Sequence, residues 1–226
     1  MSRWIAACAC AVSLVASAGE LCPGGQEVKE QKYPYTQKVK ERGCAGKDAG
    51  GNFLKQGKWE FFHPNGKKQR EGTFQDGKPV GPWTLWYANG QKQAATIFKD
   101  GKQEGLATEW FENGKKKSES FWIDGKQEGL TRLWFDNGKK MGEVTFKGGL
   151  LGGPLTRWYA NGQKQTQGAT KDGKQDGLVT NWYESGKKKS VSTWKDGKQD
   201  GLATEWNEDG KKTSEVLYKD GKPVTK

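Results

Sequence analysis

The chain has 226 residues, of which 32% are hydrophobic, and its mean hydropathy is −0.97. With 33 glycines, this composition is too polar to fill a conventional core of this length, and it argues against long helices. The 38 basic and 27 acidic residues give a net charge of +11, which is explained either by an acidic partner or by lysines that keep the protein soluble.

The first 18 residues have the pattern of a secretory signal peptide. Arg3 provides a positive start, residues 4–15 form an apolar stretch, and Ala16-Ser17-Ala18 supplies a small-residue cleavage site. We therefore expect an exported protein, periplasmic or extracellular, that is cleaved after Ala18. The apolar stretch is too short to span a bilayer, and no other run approaches the ~20 residues that a transmembrane helix needs.

Residues 19–52 are expected to form a disulfide-tied leader. Removal of the signal peptide leaves two cysteines, Cys22 and Cys44. In an oxidising compartment they are expected to pair, which would add about 3 kcal/mol of stability. A zinc site is the alternative, but it needs about four ligands and the only histidine is His63. We therefore expect no metal and no cofactor.

From residue 53 to 226 the chain consists of about seven copies of a 24-residue unit. One turn dipeptide recurs every 24 residues, from Asn65-Gly66 to Asp209-Gly210, and a second turn, usually Asp-Gly, alternates with it at spacings of 11 and 13. Both favour hairpins, because a type I′ turn needs positive φ at its two central residues. The sequence thus predicts an all-β fold, an elongated, solenoid-like meander of stacked antiparallel β-hairpins.

Aromatic residues recur at three positions of the unit. The first aromatic column, expected to be core, comprises Phe62, Trp86, Trp110, Trp134, Trp158, Trp182 and Trp206. The second comprises Phe74, Phe98, Trp122, Phe146, Trp194 and Tyr218, with Thr170 in the remaining repeat. The third follows the first directly and comprises Tyr87, Phe111, Phe135, Tyr159 and Tyr183. Because neighbouring strand residues point to opposite faces, the first and third columns cannot both be buried on one side, so the third is either packing or a partner-binding stripe.

Glycine and lysine also recur in register. The glycine column, expected to have positive φ or to allow close approach, comprises Gly57, Gly81, Gly105, Gly129, Gly153, Gly177 and Gly201. The lysine column comprises Lys68, Lys92, Lys116, Lys140, Lys164, Lys188 and Lys212. At ~9.6 Å per repeat this column forms a basic ladder, which is either a track for an acidic partner or a device for solubility.

One repeat departs from the pattern. Residues 148–153 read Gly-Gly-Leu-Leu-Gly-Gly where other repeats have a charged turn. Leu150 and Leu151 mark a contact patch, a bend, or simply a repeat that has drifted.

The unit GLATEWFENGKKKSESFWIDGKQE, residues 105–128, resembles the bacterial variant of the MORN repeat, G-x-W-x-x-[WY]-Y-x-N-G-K-x-K followed by an aromatic residue and D-G-K. The resemblance covers about residues 53 to 226. After Trp59 and Trp83 the chain departs from the early Trp of that pattern, with Ala107, Thr131, Leu155, Val179 and Ala203. The resemblance implies stacked hairpins that serve as an interaction scaffold, an antitoxin-like role carried by the label of many relatives, and an N-terminal cap formed by the cysteine-containing leader.

Catalysis is not expected. His63 stands where other repeats carry an aromatic residue, and the carboxylates Glu104, Glu128, Asp176 and Asp200 recur in register, as architectural groups do. The first hypothesis is an exported scaffold that binds a protein, and the resemblance extends it to sequestration of a toxic partner. The alternative is a module that binds envelope glycans or anionic polymers and lipid headgroups through the third aromatic column and the lysine column. Export argues against nucleic acid.

Overall fold

The computed structural model describes Cys22 and residues 26–224, which form one open antiparallel sheet. Its 18 strands are β1 (Glu27–Lys32), β2 (Val39–Lys47), β3 (Phe53–Phe62), β4 (Lys68–Gln75), β5 (Lys78–Trp86), β6 (Lys92–Lys99), β7 (Lys102–Trp110), β8 (Lys116–Ile123), β9 (Lys126–Trp134), β10 (Lys140–Lys147), β11 (Leu150–Trp158), β12 (Lys164–Lys171), β13 (Lys174–Gln175), β14 (Gly177–Trp182), β15 (Lys188–Lys195), β16 (Lys198–Trp206), β17 (Lys212–Lys219) and β18 (Lys222–Pro223).

Each strand pairs with its neighbour in the chain, and β13 and β14 together pair with β12. The predicted meander of stacked hairpins is confirmed. Within the described part of the chain there is no helix of the length and apolarity that crossing a membrane requires. The predicted signal peptide and its cleavage site lie outside the described residues.

The two turn types differ in geometry. In the Asp-Gly turns both central residues have positive φ, as at Asp76 (50°) and Gly77 (74°), so these are type I′ turns. In the Asn-Gly turns only the glycine does, as at Gly66 (88°), whose N–H donates to the His63 carbonyl at 2.8 Å. The type I′ expectation is therefore wrong for Asn-Gly. Its loops contain three residues, and the Asn65 side chain instead accepts the Lys67 N–H at 2.9 Å.

The glycine column has positive φ in all seven repeats, from 63° to 156°, which confirms that prediction. These glycines lie at bulges between successive repeats. Glu71 pairs with Thr84 and Thr73 with Val80, so three residues beginning at Gly81 lie opposite one residue of the preceding strand. A bulge of this kind increases local twist and re-aims the side chains that follow it.

The sheet has an inner face and an outer face, and the buried residues concentrate on the inner one. Ala45, Trp59, Phe61 and Trp83 form its buried cluster, against which Phe74 and Phe98 of the second aromatic column pack. We call the position of Trp59 and Trp83 the inner row, which continues as Ala107, Thr131, Leu155, Val179 and Ala203.

The first aromatic column lies on the outer face and is only half-buried. The prediction that this column forms the core is therefore wrong. A single-layer sheet has no second layer to cover outer-face rings, so the deeper burial falls to the inner row.

Candidate functional site

The third aromatic column is half-buried beside the Asn-Gly turns, and its hydroxyls are occupied. Tyr87, Tyr159 and Tyr183 each donate to a main-chain carbonyl of the next repeat, at 2.8, 2.9 and 2.8 Å. His63 Nε2 contacts the Trp86 carbonyl in the same way at 2.9 Å, so that nitrogen carries the proton. His63 therefore acts as a substituted aromatic. Phe111 and Phe135 lack a hydroxyl and line a cavity on the inner face.

The lysine column is largely engaged within the protein. Lys116 pairs with Glu119 at 2.5 Å and Lys140 with Glu143 at 2.7 Å, while Lys164 bonds Gln167 at 3.0 Å. The ammonium groups of these three lysines also lie 5.2 to 5.8 Å from the tryptophan ring centroids of the next repeat: Trp134, Trp158 and Trp182. Lys92 and Lys188 differ, since Ala95 and Val191 occupy the acidic position, and among the described residues neither has a carboxylate within 4 Å.

Lys68 shows the electrostatics of this column most clearly, because it bonds Glu60 at 2.8 Å and Glu71 at 2.6 Å. Burial alone would raise the pKa of Glu60, but Lys68 and Arg42 outweigh it and hold this pKa below its ordinary 4.5. Burial likewise opposes the charged form of Lys68, yet its two carboxylate partners raise its pKa above 10.5.

The recurrent carboxylates hold turns together. Glu104 accepts the Asp124 N–H at 2.9 Å, Glu128 accepts the Gly148 N–H at 2.7 Å, and Asp176 accepts the Asp196 N–H at 3.3 Å. Asp200 instead pairs with Lys219 at 2.9 Å. Within the part of the chain that the structure describes, no cluster of three or more histidine, cysteine, aspartate or glutamate side chains is placed to hold a metal ion.

The remaining predicted residues occupy separate places. A disulfide joins Cys22 and Cys44, with a Cα–Cα distance of 5.4 Å. Leu150 begins β11 on the outer face and is 56% exposed, whereas Leu151 is half-buried opposite Phe146 on the inner face. The structure does not bring the two leucines together into one patch.

An exposed apolar row on the outer face was missed from the sequence. Its members are 41 to 59% exposed large side chains: Ile97, Leu106, Phe121, Leu130, Leu178, Leu202 and Leu217. Leu106 lies directly opposite Phe121, and Leu202 opposite Leu217. The signal was present, because a leucine follows the column glycine in four repeats. Neighbouring exposed apolar side chains such as Leu106 and Phe121 are typical of interaction surfaces.

A second set of lysines, which we call the edge lysines, borders the apolar row where the Asp-Gly turns lie. They are exposed on the outer face: Lys78, Lys99, Lys102, Lys126, Lys147, Lys171, Lys174, Lys195, Lys198, Lys219 and Lys222. Among the described residues only Lys102 and Lys219 have a carboxylate within 4 Å, Asp124 and Asp200.

Four hairpins place one edge lysine directly opposite another, as at Lys99 and Lys102. Like charges in such pairs are destabilising, and the aspartate between the two lysines offsets part of their charge. The outer face therefore combines exposed apolar side chains with lysines most of which, among the described residues, have no carboxylate within 4 Å.

These features define an open, single-layer β-repeat protein. Five segments match the family described as MORN repeat variant: residues 55–76, 103–124, 127–147, 175–196 and 199–220. The chain thus belongs to the MORN-repeat proteins, which confirms the resemblance seen in its sequence. The two longer stretches between the matched segments contain Gly81-Pro82 and Gly153-Pro154. In both, proline follows the column glycine, whereas leucine follows it in the matched units from the third repeat onward. No curated protein matches the chain.

Proposed function

We propose that this chain is an exported, non-catalytic scaffold that binds a protein through the apolar row and edge lysines of its outer face. The observation that carries the proposal is the exposure of seven large apolar side chains next to the edge lysines, most of which have no carboxylate within 4 Å among the described residues. A complementary partner presents apolar residues bordered by acidic ones. Antitoxin-like sequestration of a toxic protein is one activity of this kind.

Solubility alone explains the lysines but leaves the exposed leucines unexplained, because apolar surface lowers solubility. The alternative, an envelope glycan or lipid-headgroup module, has less support. The tyrosine hydroxyls and most of the column lysines that it would use already bond within the sheet.

The test is affinity capture from the envelope fraction of the source organism, followed by a binding titration with the captured protein. We expect Leu106→Ser/Phe121→Ser to weaken binding at least ~10-fold, as loss of a buried anchor does. Lys195→Glu/Lys198→Glu, which reverses two edge lysines without a carboxylate within 4 Å among the described residues, should weaken binding more at low salt than at high salt. Tyr35→Ser is the matched control, because Tyr35 is 98% exposed but lies away from the apolar row.

Unchanged affinity in both double variants, with the fold intact by circular dichroism, would show that the outer face is not the binding surface. Binding to anionic vesicles or envelope polysaccharide, without any protein partner, would favour the alternative module.

A further inference from the structure

The Asn-Gly turns bring together the two groups that a spontaneous cyclisation needs. Their asparagines are all exposed: Asn65, Asn89, Asn113, Asn137 and Asn161. The main-chain nitrogen of the following glycine can attack the side-chain carbonyl carbon of the asparagine, because glycine has no Cβ to hinder the approach. Each turn therefore contains the reactants for loss of ammonia, and the contacts around the turn decide how fast it reacts.

Two hydrogen bonds are common to the five turns. The glycine N–H donates to the carbonyl three residues earlier, as from Gly138 to Phe135 at 2.9 Å. The asparagine Oδ1 accepts the N–H two residues later, as Asn137 does from Lys139 at 2.8 Å. The first bond must break before the glycine nitrogen can react, so each folded turn should react more slowly than the same dipeptide in the unfolded chain.

The side-chain amide nitrogen distinguishes Asn137 from the other asparagines. In the other four turns Nδ2 donates to a main-chain carbonyl of the following repeat, at 2.8 to 3.1 Å. Asn137 Nδ2 has no hydrogen-bond partner among the described residues. A bond that fixes Nδ2 opposes both the rotation of the side chain toward the glycine and the departure of Nδ2 as ammonia. This restraint is missing at Asn137.

A lysine ammonium favours reaction at the same turn. Lys115 Nζ donates to the main-chain carbonyl of Asn137 at 2.9 Å. When the glycine nitrogen loses its proton, the negative charge is shared with this oxygen, because both atoms belong to one resonant peptide group. A donor fixed beside the oxygen stabilises that charge. Lysines contact Asn65, Asn89 and Asn161 in the same way, at 3.2, 2.8 and 3.2 Å, whereas Gln91 stands beside the turn of Asn113.

We propose that Asn137-Gly138 is a site of spontaneous deamidation, which reacts ahead of the other four turns. The Gly138 nitrogen gives up its proton and bonds to Asn137 Cγ, the Cγ–Nδ2 bond breaks, and Nδ2 leaves with that proton as ammonia. Water then opens the cyclic imide at either carbonyl, which yields an aspartyl or an isoaspartyl residue. The seventh repeat has Asp209 at this position, so the aspartyl product fits the turn. The isoaspartyl product adds a methylene to the backbone between β9 and β10.

The test incubates the folded full chain at neutral pH and follows the conversion of each asparagine to an acid by peptide mass spectrometry. We expect Asn137 to react about 5-fold faster than Asn65, Asn89 and Asn161, a factor that corresponds to about 1 kcal/mol, the size of one hydrogen bond. Asn113, which has the restraint and lacks the lysine, should react most slowly. In the chain unfolded by urea the five rates should converge.

Two substitutions at equivalent positions provide matched variants, and the chain itself has glutamine at one and lysine at the other. Lys115→Gln should slow the reaction of Asn137 about 3-fold, and Gln91→Lys should accelerate that of Asn113 by a similar factor. Equal rates at the five turns of the folded chain, the same order in the unfolded chain, or an unchanged rate at Asn137 in Lys115→Gln would overturn the proposal. The turn lies apart from the apolar row, so this proposal and the proposed function can fail separately.

Discussion

At the scale of single residues, the inner face depends on size matching between neighbouring strands. Trp59 and Trp83 are accommodated because Gly43 and Gly72 beneath them have no side chain. Val179 shows a milder version, since a Cβ at Gly168 would lie 3.0 Å from its Cγ2. None of these three glycines has positive φ, so the requirement at these positions is space and not backbone conformation.

Gly72→Ala should therefore destabilise the protein by about 1 to 3 kcal/mol, the usual cost of overpacking, or more if the sheet cannot shift. Chemical denaturation measures the free energy of unfolding. Gly142→Ala is the matched control on the same face, because its Cβ would meet Leu133 at an ordinary 3.5 Å. Equal effects of the two substitutions would contradict the packing argument.

At the scale of the hairpin, both turns connect one repeat to the next. Each Asp-Gly turn donates to the preceding repeat, as from the Gly77 N–H to the Lys55 carbonyl at 3.0 Å. In several repeats the asparagine side chain of the Asn-Gly turn donates a hydrogen bond to the following repeat, as from Asn65 Nδ2 to the Ala88 carbonyl at 2.9 Å. The tyrosines of the third aromatic column add a further bond in that direction.

Tyr159→Phe removes the bond to the Trp182 carbonyl and should lower the free energy of unfolding by about 0.5 to 1.5 kcal/mol. The converse variant, Phe135→Tyr, restores a hydroxyl at the position from which it reaches the Trp158 carbonyl, and it should raise that free energy by a similar amount. Thermal or denaturant unfolding of the pair measures both. A loss of stability in Phe135→Tyr would show that the column has no room for this bond.

At the scale of the whole molecule, packing is uneven along the array. The first two repeats contain the buried aromatic cluster, and the Cys22–Cys44 disulfide lies next to them. Later inner-face positions are smaller and more polar, with buried Ser120, Thr131, Thr170 and Ser192. In repeat proteins the free energy of unfolding is approximately the sum of the intrinsic stability of each repeat and of its interfaces with the neighbouring repeats. Repeats of unequal stability therefore need not unfold together.

Amide hydrogen exchange should accordingly be slowest in β3 to β6 and faster in β14 to β17. Mass spectrometry of exchanged fragments under native conditions measures this directly. Reduction of the disulfide should accelerate exchange in β2 and β3 more than in the last repeats. Uniform protection along the chain would indicate that the array unfolds as one cooperative unit.

The amino-acid sequence alone determined the number of repeats, the two hairpin turns in each, the meander and the positive φ of the glycine column. These features are local, because turn dipeptides and alternation act within a few residues. The sequence did not reveal in the same way which face of the sheet each column of side chains lies on. A bulge at each glycine changes the register between repeats, and an offset of one residue moves a side chain to the opposite face.

Only the tertiary structure decided which columns are free for a partner. Tyr159 and Lys116 resemble binding residues in the sequence, but their partners, Trp182 and Trp134, lie in the next repeat. Leu106 and the edge lysines attract little notice in the sequence, yet they remain exposed because no second layer covers the outer face. The periodic sequence determines what recurs, whereas contacts between repeats determine which of the recurring groups are already occupied.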